Sequence, residues 1–540
     1  MVKMASWLTK QQYFFMLQKI KNQYFIAFVL GAVSAAAFAP LYFFPLAIIA
    51  FSGLFLISDR CQNNKKSFWI GWCFGFGQFV FGLYWISISL FVDIAKFFWL
   101  LPFALFLIPA VLAIYIGLVL LLTNMIAKKF SIGHWRKILL LAVIWVGFEY
   151  LRAILFTGFP WNLLGYSLLF SLSLSQVASI TGVYGLSLLA VVFYSAPALL
   201  FKFQDKKITF SGHKKYQLFL CSVVVVLLIL WVGGMYRLKS FTPKTFPNAT
   251  FRLVQPNIKQ EEKWNREYRY DSFLENIKLS HQAGFENVNY MVWSESAVPY
   301  VINPTTSYGL LADIASAVPQ NSNSFVITGA LRAEFKDGGK EVDKIWNTVF
   351  VINNQAKVAE TYDKNHLVPF GEYIPFADLF PFVSKITDGG VGFSTGSGHK
   401  TIKLGLNAPS FSPLVCYEAI FPDNIIDKLH PPQFLLNLTN DAWFGSSSGP
   451  YQHFDMVKMR SIEYGMSTIR VANSGISGLI NPVGEVVAAM PLNKKGVLDV
   501  MLVEKLPATI YLRWGNVVVI LIGAGLLAAV FVKRTMNDKR

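Results

Sequence analysis

The chain has 540 residues, 54% of them hydrophobic and only 15% charged, with a mean hydropathy of +0.45. Soluble proteins carry about 25% charged residues, so this balance excludes a disordered chain and weighs against a wholly soluble one. The net charge of +17 leaves two classes open: a nucleic-acid binder, or a membrane protein with basic loops.

The order of residues along the chain decides between them. Apolar runs at about 24–39, 42–58, 68–92, 97–126, 137–157, 171–201 and 216–235 predict seven membrane helices, and an eighth run lies at 515–532. Each approaches or exceeds the ~20 residues that cross ~30 Å of hydrocarbon. Lys19 and Lys21 before a run ending Ala37-Phe38-Ala39 resemble a cleavable leader, but Pro40 would follow the cut and a second run begins at once, so a retained helix is expected. Basic residues fill alternate loops, with Lys3 to Lys21 before the first run, Arg60 to Lys66 after the second, and Lys128 to Lys137 after the fourth. Lys202 to Lys215 follow the sixth run, and Lys533 to Arg540 end the chain. The positive-inside rule then predicts cytoplasmic termini and an extracytoplasmic block between the seventh and eighth helices. Charge reads as topology here, so no nucleic-acid partner is expected.

Three domains follow: a membrane domain at 1–236, a soluble block at 237–512, and a last helix with a basic tail at 513–540. Short β-rich runs recur in the block at 251–254, 290–293, 325–328 and 434–438. Polar stretches of helical period, such as 266–283 and 452–464, separate several of them. Strands alternating with helices predict a layered α/β domain.

Of the four cysteines, Cys61 falls in a cytoplasmic loop, Cys73 and Cys221 lie in membrane helices, and Cys416 alone belongs to the soluble block. A lone thiol outside the cytoplasm is either buried packing or a working group. Cys416 ends the strand-like Phe411-Ser-Pro-Leu-Val415 and opens Cys-Tyr-Glu, which suits a nucleophile on a sharp turn that needs a nearby base. Glu295 stands just beyond the apolar run 290–293, and Lys364 opens Lys-Asn-His-Leu-Val-Pro-Phe-Gly-Glu372 after the strand-like 349–352.

Glu295, Lys364 and Cys416, in this order and these contexts, resemble the Glu-Lys-Cys triad of the nitrilase (carbon–nitrogen hydrolase) superfamily. With seven apolar runs before and one after, and with Phe156-Thr-Gly-Phe-Pro-Trp161 and Thr439-Asn-Asp-Ala-Trp-Phe-Gly445, the chain resembles the apolipoprotein N-acyltransferase family over nearly its full length. That resemblance implies an αββα sandwich outside the cytoplasmic membrane of a diderm bacterium, with eight membrane helices. It also implies acyl transfer from a phospholipid donor to the α-amino group of a diacylated apolipoprotein, through a thioester on Cys416. Glu295 would be the base and Lys364 the cation for the oxyanion, with the backbone N–H of Tyr417 beside it. Glu372 and Glu418 would orient the triad or assist proton transfer, with Asn347 and Tyr417 in support. A membrane-tethered amidase using the same triad, with water as second nucleophile, is the competing expectation.

Trp161, in an outside loop, and Arg152, at a helix end, are candidates for engaging the lipid, although Trp161 also suits an interfacial anchor and Arg152 a snorkelling cation. Trp264 and Trp443 are further candidates for the substrate path. The apolar stretches 373–382 and 443–451 are expected to act as lids at the membrane surface. His366 and His453 are far apart, and no metal-ligand spacing or phosphate loop occurs, so no metal, cofactor or nucleotide is expected. A monomer is expected.

Overall fold

In this computed structural model the described residues are 22–204, 207–263, 265–320, 324–336, 341–375, 392–405 and 408–532. The apolar runs fold as helices because a backbone without water must satisfy its own polar groups. Among the described residues, five helical stretches are long and apolar enough to cross a membrane: Asn64–Leu100, Phe103–Lys129, His134–Thr157, Ala178–Leu200 and Lys214–Lys239. Asn22–Ala37, Phe44–Asp59 and Val517–Phe531 are apolar but shorter.

Several runs are less regular than hydropathy predicts, the third and sixth among them. In the third, α-helix occupies only Asn64–Leu83, and the chain tightens to 3-10 geometry over Tyr84–Asp93. The cause is lateral packing: the Trp85 ring lies 4.4 Å from Trp161 and 4.6 Å from Phe444, centroid to centroid. The sixth run, predicted over 171–201, is continuous helix only across Ala178–Ser195, and Gly182 at φ 65° kinks it. The Tyr511 ring fills the space a side chain would need, 2.3 Å from an ideal Cβ. Glu463 of the soluble domain accepts the adjacent Val183 N–H at 2.8 Å.

After a small hairpin of β1 (Phe201–Gln204) and β2 (Lys207–Phe210), the soluble domain begins with β3 (Thr245–Gln255), β4 (Tyr290–Val292) and β5 (Val298–Val301). It continues through β6 (Phe325–Phe335), β7 (Val342–Asn353), β8 (Val358–Asp363), β9 (Phe411–Val415) and β10 (Phe434–Thr439). β11 (Ser467–Ala472), β12 (Ser477–Ile480), β13 (Val486–Met490) and β14 (Gly496–Val503) complete it. One sheet runs β14-β3-β4-β6-β7-β8, with β5 beside β6, and the other runs β13-β12-β11-β10-β9.

The sheets pack face to face through Phe251, Val292 and Val351 on one side and Val415, Leu436 and Val471 on the other. Helices Arg269–Ser280 and Tyr308–Ala315 cover the outer face of the first sheet through Phe273, Leu311 and Ile314. Helix Gly449–Tyr464 covers the second through Phe454 and Val457. The result is a helix–sheet–sheet–helix sandwich. Helix Gly449–Tyr464 also packs on the membrane helices, because Met456, Met459 and Ile462 join their core.

Gly182→Val is expected to destabilise the protein by about 1–3 kcal/mol from the backbone conformation alone, with the clash against Tyr511 added. Thermal unfolding in detergent measures this, and an unchanged midpoint would contradict the kink.

Candidate active site

β3, β4 and β6 are parallel, as are β9 and β10, so their carboxyl ends gather on one edge of each sheet, where ligands of open α/β sheets bind. Glu295 follows β4, Lys364 follows β8 and Cys416 follows β9. The structure brings all three into one cavity of about 1580 Å³.

The Lys364 Nζ donates to Glu372 Oε1 at 2.9 Å and lies 3.8 Å from Glu295 Oε1. Asn347, on β7, donates through its side-chain amide nitrogen to Glu295 at 2.8 Å and to Glu372 at 3.2 Å, and its main-chain carbonyl accepts the main-chain N–H of Lys364 at 2.8 Å. All of these side chains are buried. Burial, reinforced by the neighbouring Glu372 charge, pushes the Glu295 carboxyl above its ordinary range, against the pull of Lys364. Burial works against the Lys364 ammonium, but the Glu372 and Glu295 carboxylates outweigh it and hold the group charged.

Cys416 sits at φ 49°, a left-handed backbone conformation that lifts its thiol at the strand-to-helix elbow. Burial, with the Glu295 charge added, pushes the thiol well above its ordinary range, so the resting sulfur is protonated and needs a base. Glu418 holds the elbow together without lining the cavity. Its carboxylate accepts from Val415 N at 2.7 Å, Asn365 N at 2.7 Å, His366 N at 3.1 Å and the Tyr362 hydroxyl at 2.8 Å. It therefore ties the Lys364 loop to the Cys416 turn. His453 bridges Asp441 (Nδ1 to Oδ1, 3.0 Å) and the Cys416 carbonyl (Nε2 to O, 3.2 Å), with Arg470 on Asp441 at 2.6 Å. Sequence reasoning passed over that trio because its members are spread over thirty positions.

The cavity runs from Glu295, Lys364 and Cys416 past Arg152, Trp161 and Trp443 to Phe103, Leu107 and Tyr115 of an apolar helix. Trp161 is 1% exposed, with its indole N–H on Gln452 Oε1 at 2.8 Å, so it is enclosed by protein and is no interfacial anchor. Arg152 does not snorkel either: it donates to the carbonyls of Phe159 and Trp161 at 2.6 and 2.8 Å and so fixes the loop carrying Trp161. Tyr417 bonds the Gly158 carbonyl at 2.8 Å, tying that loop to the elbow. Of the two expected lids, 443–451 packs by Phe444 on Trp85, while most of 373–382 lies outside the described residues, as does Trp264. Among the described residues no cluster of His, Cys, Asp and Glu is arranged to hold a metal.

Residues 30–196 match the apolipoprotein N-acyltransferase N-terminal domain, and residues 250–509 match the carbon-nitrogen hydrolase domain. An apolipoprotein N-acyltransferase of Rhodopseudomonas palustris is 35% identical over 95% of both chains. The chain belongs to the apolipoprotein N-acyltransferase family. The enzyme of Rickettsia typhi is 36% identical over 92% of this chain and 95% of its own. A nitrilase-superfamily protein of Saccharomyces cerevisiae, whose structure is solved, is 17% identical over 54% of this chain and 97% of its own, with a TM-score of 0.36. An amidase of Nesterenkonia is 14% identical over 51% of this chain and 96% of its own, with a TM-score of 0.34. Family membership and the apolar helices make this a membrane-embedded acyltransferase with a nitrilase-like domain.

The protonated thiol generates a prediction. Iodoacetamide should alkylate Cys416 at pH 7.5 at less than about a tenth of the rate of free cysteine, whose thiol titrates near ~8.5. The rate should still be rising above pH 9, read by mass spectrometry of the peptide containing Cys416.

Proposed function

We propose that this protein transfers a fatty acyl chain from a membrane phospholipid to the α-amino group of a diacylglyceryl-modified N-terminal cysteine on an apolipoprotein, completing lipoprotein maturation. The observation that carries this reading is the single cavity joining Cys416, Glu295 and Lys364 to apolar helix surface at Phe103–Tyr115. An amidase of small soluble substrates has no use for such a path.

Glu295 takes the Cys416 proton as the sulfur attacks the ester carbonyl carbon. The oxyanion is met by Lys364, a fixed cation in a dry site, where one such donor is worth about 3–4 kcal/mol. The C–O bond breaks, the proton on Glu295 passes to the departing lysophospholipid hydroxyl, and a thioester remains on Cys416. The free amine of the acceptor then attacks the thioester and gives its proton to Glu295. The C–S bond breaks, the sulfur recovers the proton, and an amide is formed. Two half-reactions through one covalent intermediate give ping-pong kinetics. A carboxyl pushed upward and a thiol shielded from ionising suit this order, since the base is neither too acidic to accept the proton nor idle at neutral pH.

Glu372 and Asn347 align Lys364 and Glu295, Glu418 fixes the two loops, and Tyr417 joins the elbow to the membrane domain. Arg152 and Trp161 shape the lipid path, with Trp443 on its wall, and 443–451 gates it. The protein works as a monomer in a bacterial inner membrane, with eight spanning helices, both termini cytoplasmic, and residues 237–512 in the periplasm.

Intact mass spectrometry after incubation with phospholipid should find a hydroxylamine-labile fatty-acyl increment, absent in Cys416→Ala and discharged by a diacylated lipopeptide. An increment on the alanine variant would sink the assignment, and discharge by water alone would favour a hydrolase. Glu295→Gln should slow acylation by at least about 100-fold, the scale of a general base. In the unmodified protein the acid limb of the acylation rate should lie above the ordinary glutamate range of ~4.3, with activity lost as pH falls through it.

A further inference from the structure

A second buried lysine lies beside Glu295, and no step above uses it. Lys263 closes the short helix Gln260–Lys263 and is 2% exposed, and its Nζ donates a 2.8 Å hydrogen bond to the main-chain carbonyl of Glu295. That carbonyl belongs to a turn with little freedom. Ser296 follows at φ 48°, and at Gly329 on β6 an ideal Cβ would fall 2.4 Å from Ser296 N and 2.8 Å from Glu295 Cα. β6 thus presses one side of the turn and Lys263 ties the other. A buried carbonyl needs a donor, but a neutral donor would suffice and would avoid the cost of burying an ammonium.

The charge is accounted for by what it faces. Lys263 interacts electrostatically with Glu295 and Cys416. Glu295 in turn faces Lys364 and Glu372, and Cys416 faces Lys364 and Asp441. On the lysine's own helix, Glu262 pairs outward with Lys259 at 3.6 Å. Gln260 and Glu261 line the cavity, and Gln260 accepts a 2.6 Å hydrogen bond from Asn440 after β10. The element that carries Lys263 is therefore part of the substrate wall.

We propose that Lys263 is a positioning residue for acyl transfer: it fixes the turn that aims Glu295 at Cys416 and sets a buried cation beside that turn. This rests on the reading of Glu295 as base. Burial pushes Lys263 down to about 8, which still leaves it largely charged at neutral pH.

The test follows acyl-enzyme formation on the full-length protein from pH 5 to 9, with phosphatidylglycerol or phosphatidylethanolamine vesicles as donor. K263M removes donor and charge, K263Q removes charge alone, and K263R keeps both. K263M and K263Q should acylate at least tenfold more slowly at pH 7 with the KM for lipid changed less than twofold, and their acid limbs should move upward by half a pH unit or more. K263R should keep the wild-type limb. If the limb stays in place in K263M and K263Q while E295Q is inactive, Lys263 is only a packing residue and this inference falls alone. If E295Q acylates at the wild-type rate, the base reading falls and takes this inference with it. Should K263M not fold, K263Q decides.

Discussion

Charge balance in a dry pocket is the constraint on which the site depends. Two carboxylates, Glu295 and Glu372, and two ammonium groups, Lys364 and Lys263, are all withdrawn from water. An isolated ion in such surroundings costs several kcal/mol even after relaxation, so none of the four is tolerable alone. Lys364 stands between both carboxylates, Asn347 bonds to each, and Lys263 braces one from its main-chain side. The arrangement keeps Glu295 poised: burial drives it toward the neutral acid and its neighbouring cations drive it back. A group held between those tendencies can both accept and return a proton, as the two proposed half-reactions require.

Positioning falls to contacts between elements rather than to the strand ends alone. The two sheets deliver their strand ends to one edge, but strand ends alone would leave Lys364 and Cys416 on separate loops. Glu418 closes that gap with four accepted hydrogen bonds spanning both loops. His453, Asp441 and Arg470 support the Cys416 carbonyl from the other side. The membrane loop at Thr157–Trp161 is fastened at several points: His366 contacts the Thr157 carbonyl, Tyr417 the Gly158 carbonyl, and Gln452 the Trp161 indole. A long, open, apolar cavity thereby ends in a rigid polar floor.

Much of this was legible in the sequence, for identifiable reasons. The β-rich runs at 251–254, 325–328 and 434–438 lie on strands, as does 290–293 but for Trp293, because buried strands are short, apolar and bounded by turn residues. Glu295 and Cys416 follow apolar strands read from the sequence, whereas Lys364 follows the polar β8 and not 349–352, which lies within β7, so its only signal was the Lys-Asn-His motif itself. Lys263 carried none: nothing in Gln-Glu-Glu-Lys says that its amine points inward rather than into solvent. Asp441, His453 and Arg470 are likewise distant in sequence and adjacent only after β10, β11 and the helix Gly449–Tyr464 have packed. The helix breaks at Leu83 and Gly182 were hidden because hydropathy is indifferent to backbone geometry. The contact that causes each break comes from another part of the chain.

That last break has a consequence for how the protein can be divided. Kinking a helix inside a membrane frees a peptide N–H with no water to receive it. Here the acceptor is Glu463, a residue of the soluble half, while Tyr511, from the segment leading to the last apolar helix, occupies the space beside Gly182. At this kink the membrane half is therefore chemically incomplete by itself, lacking the acceptor and the ring. An exchange of halves between relatives would have to carry Gly182, Glu463 and Tyr511 as one inherited unit, although some three hundred residues separate the first from the others.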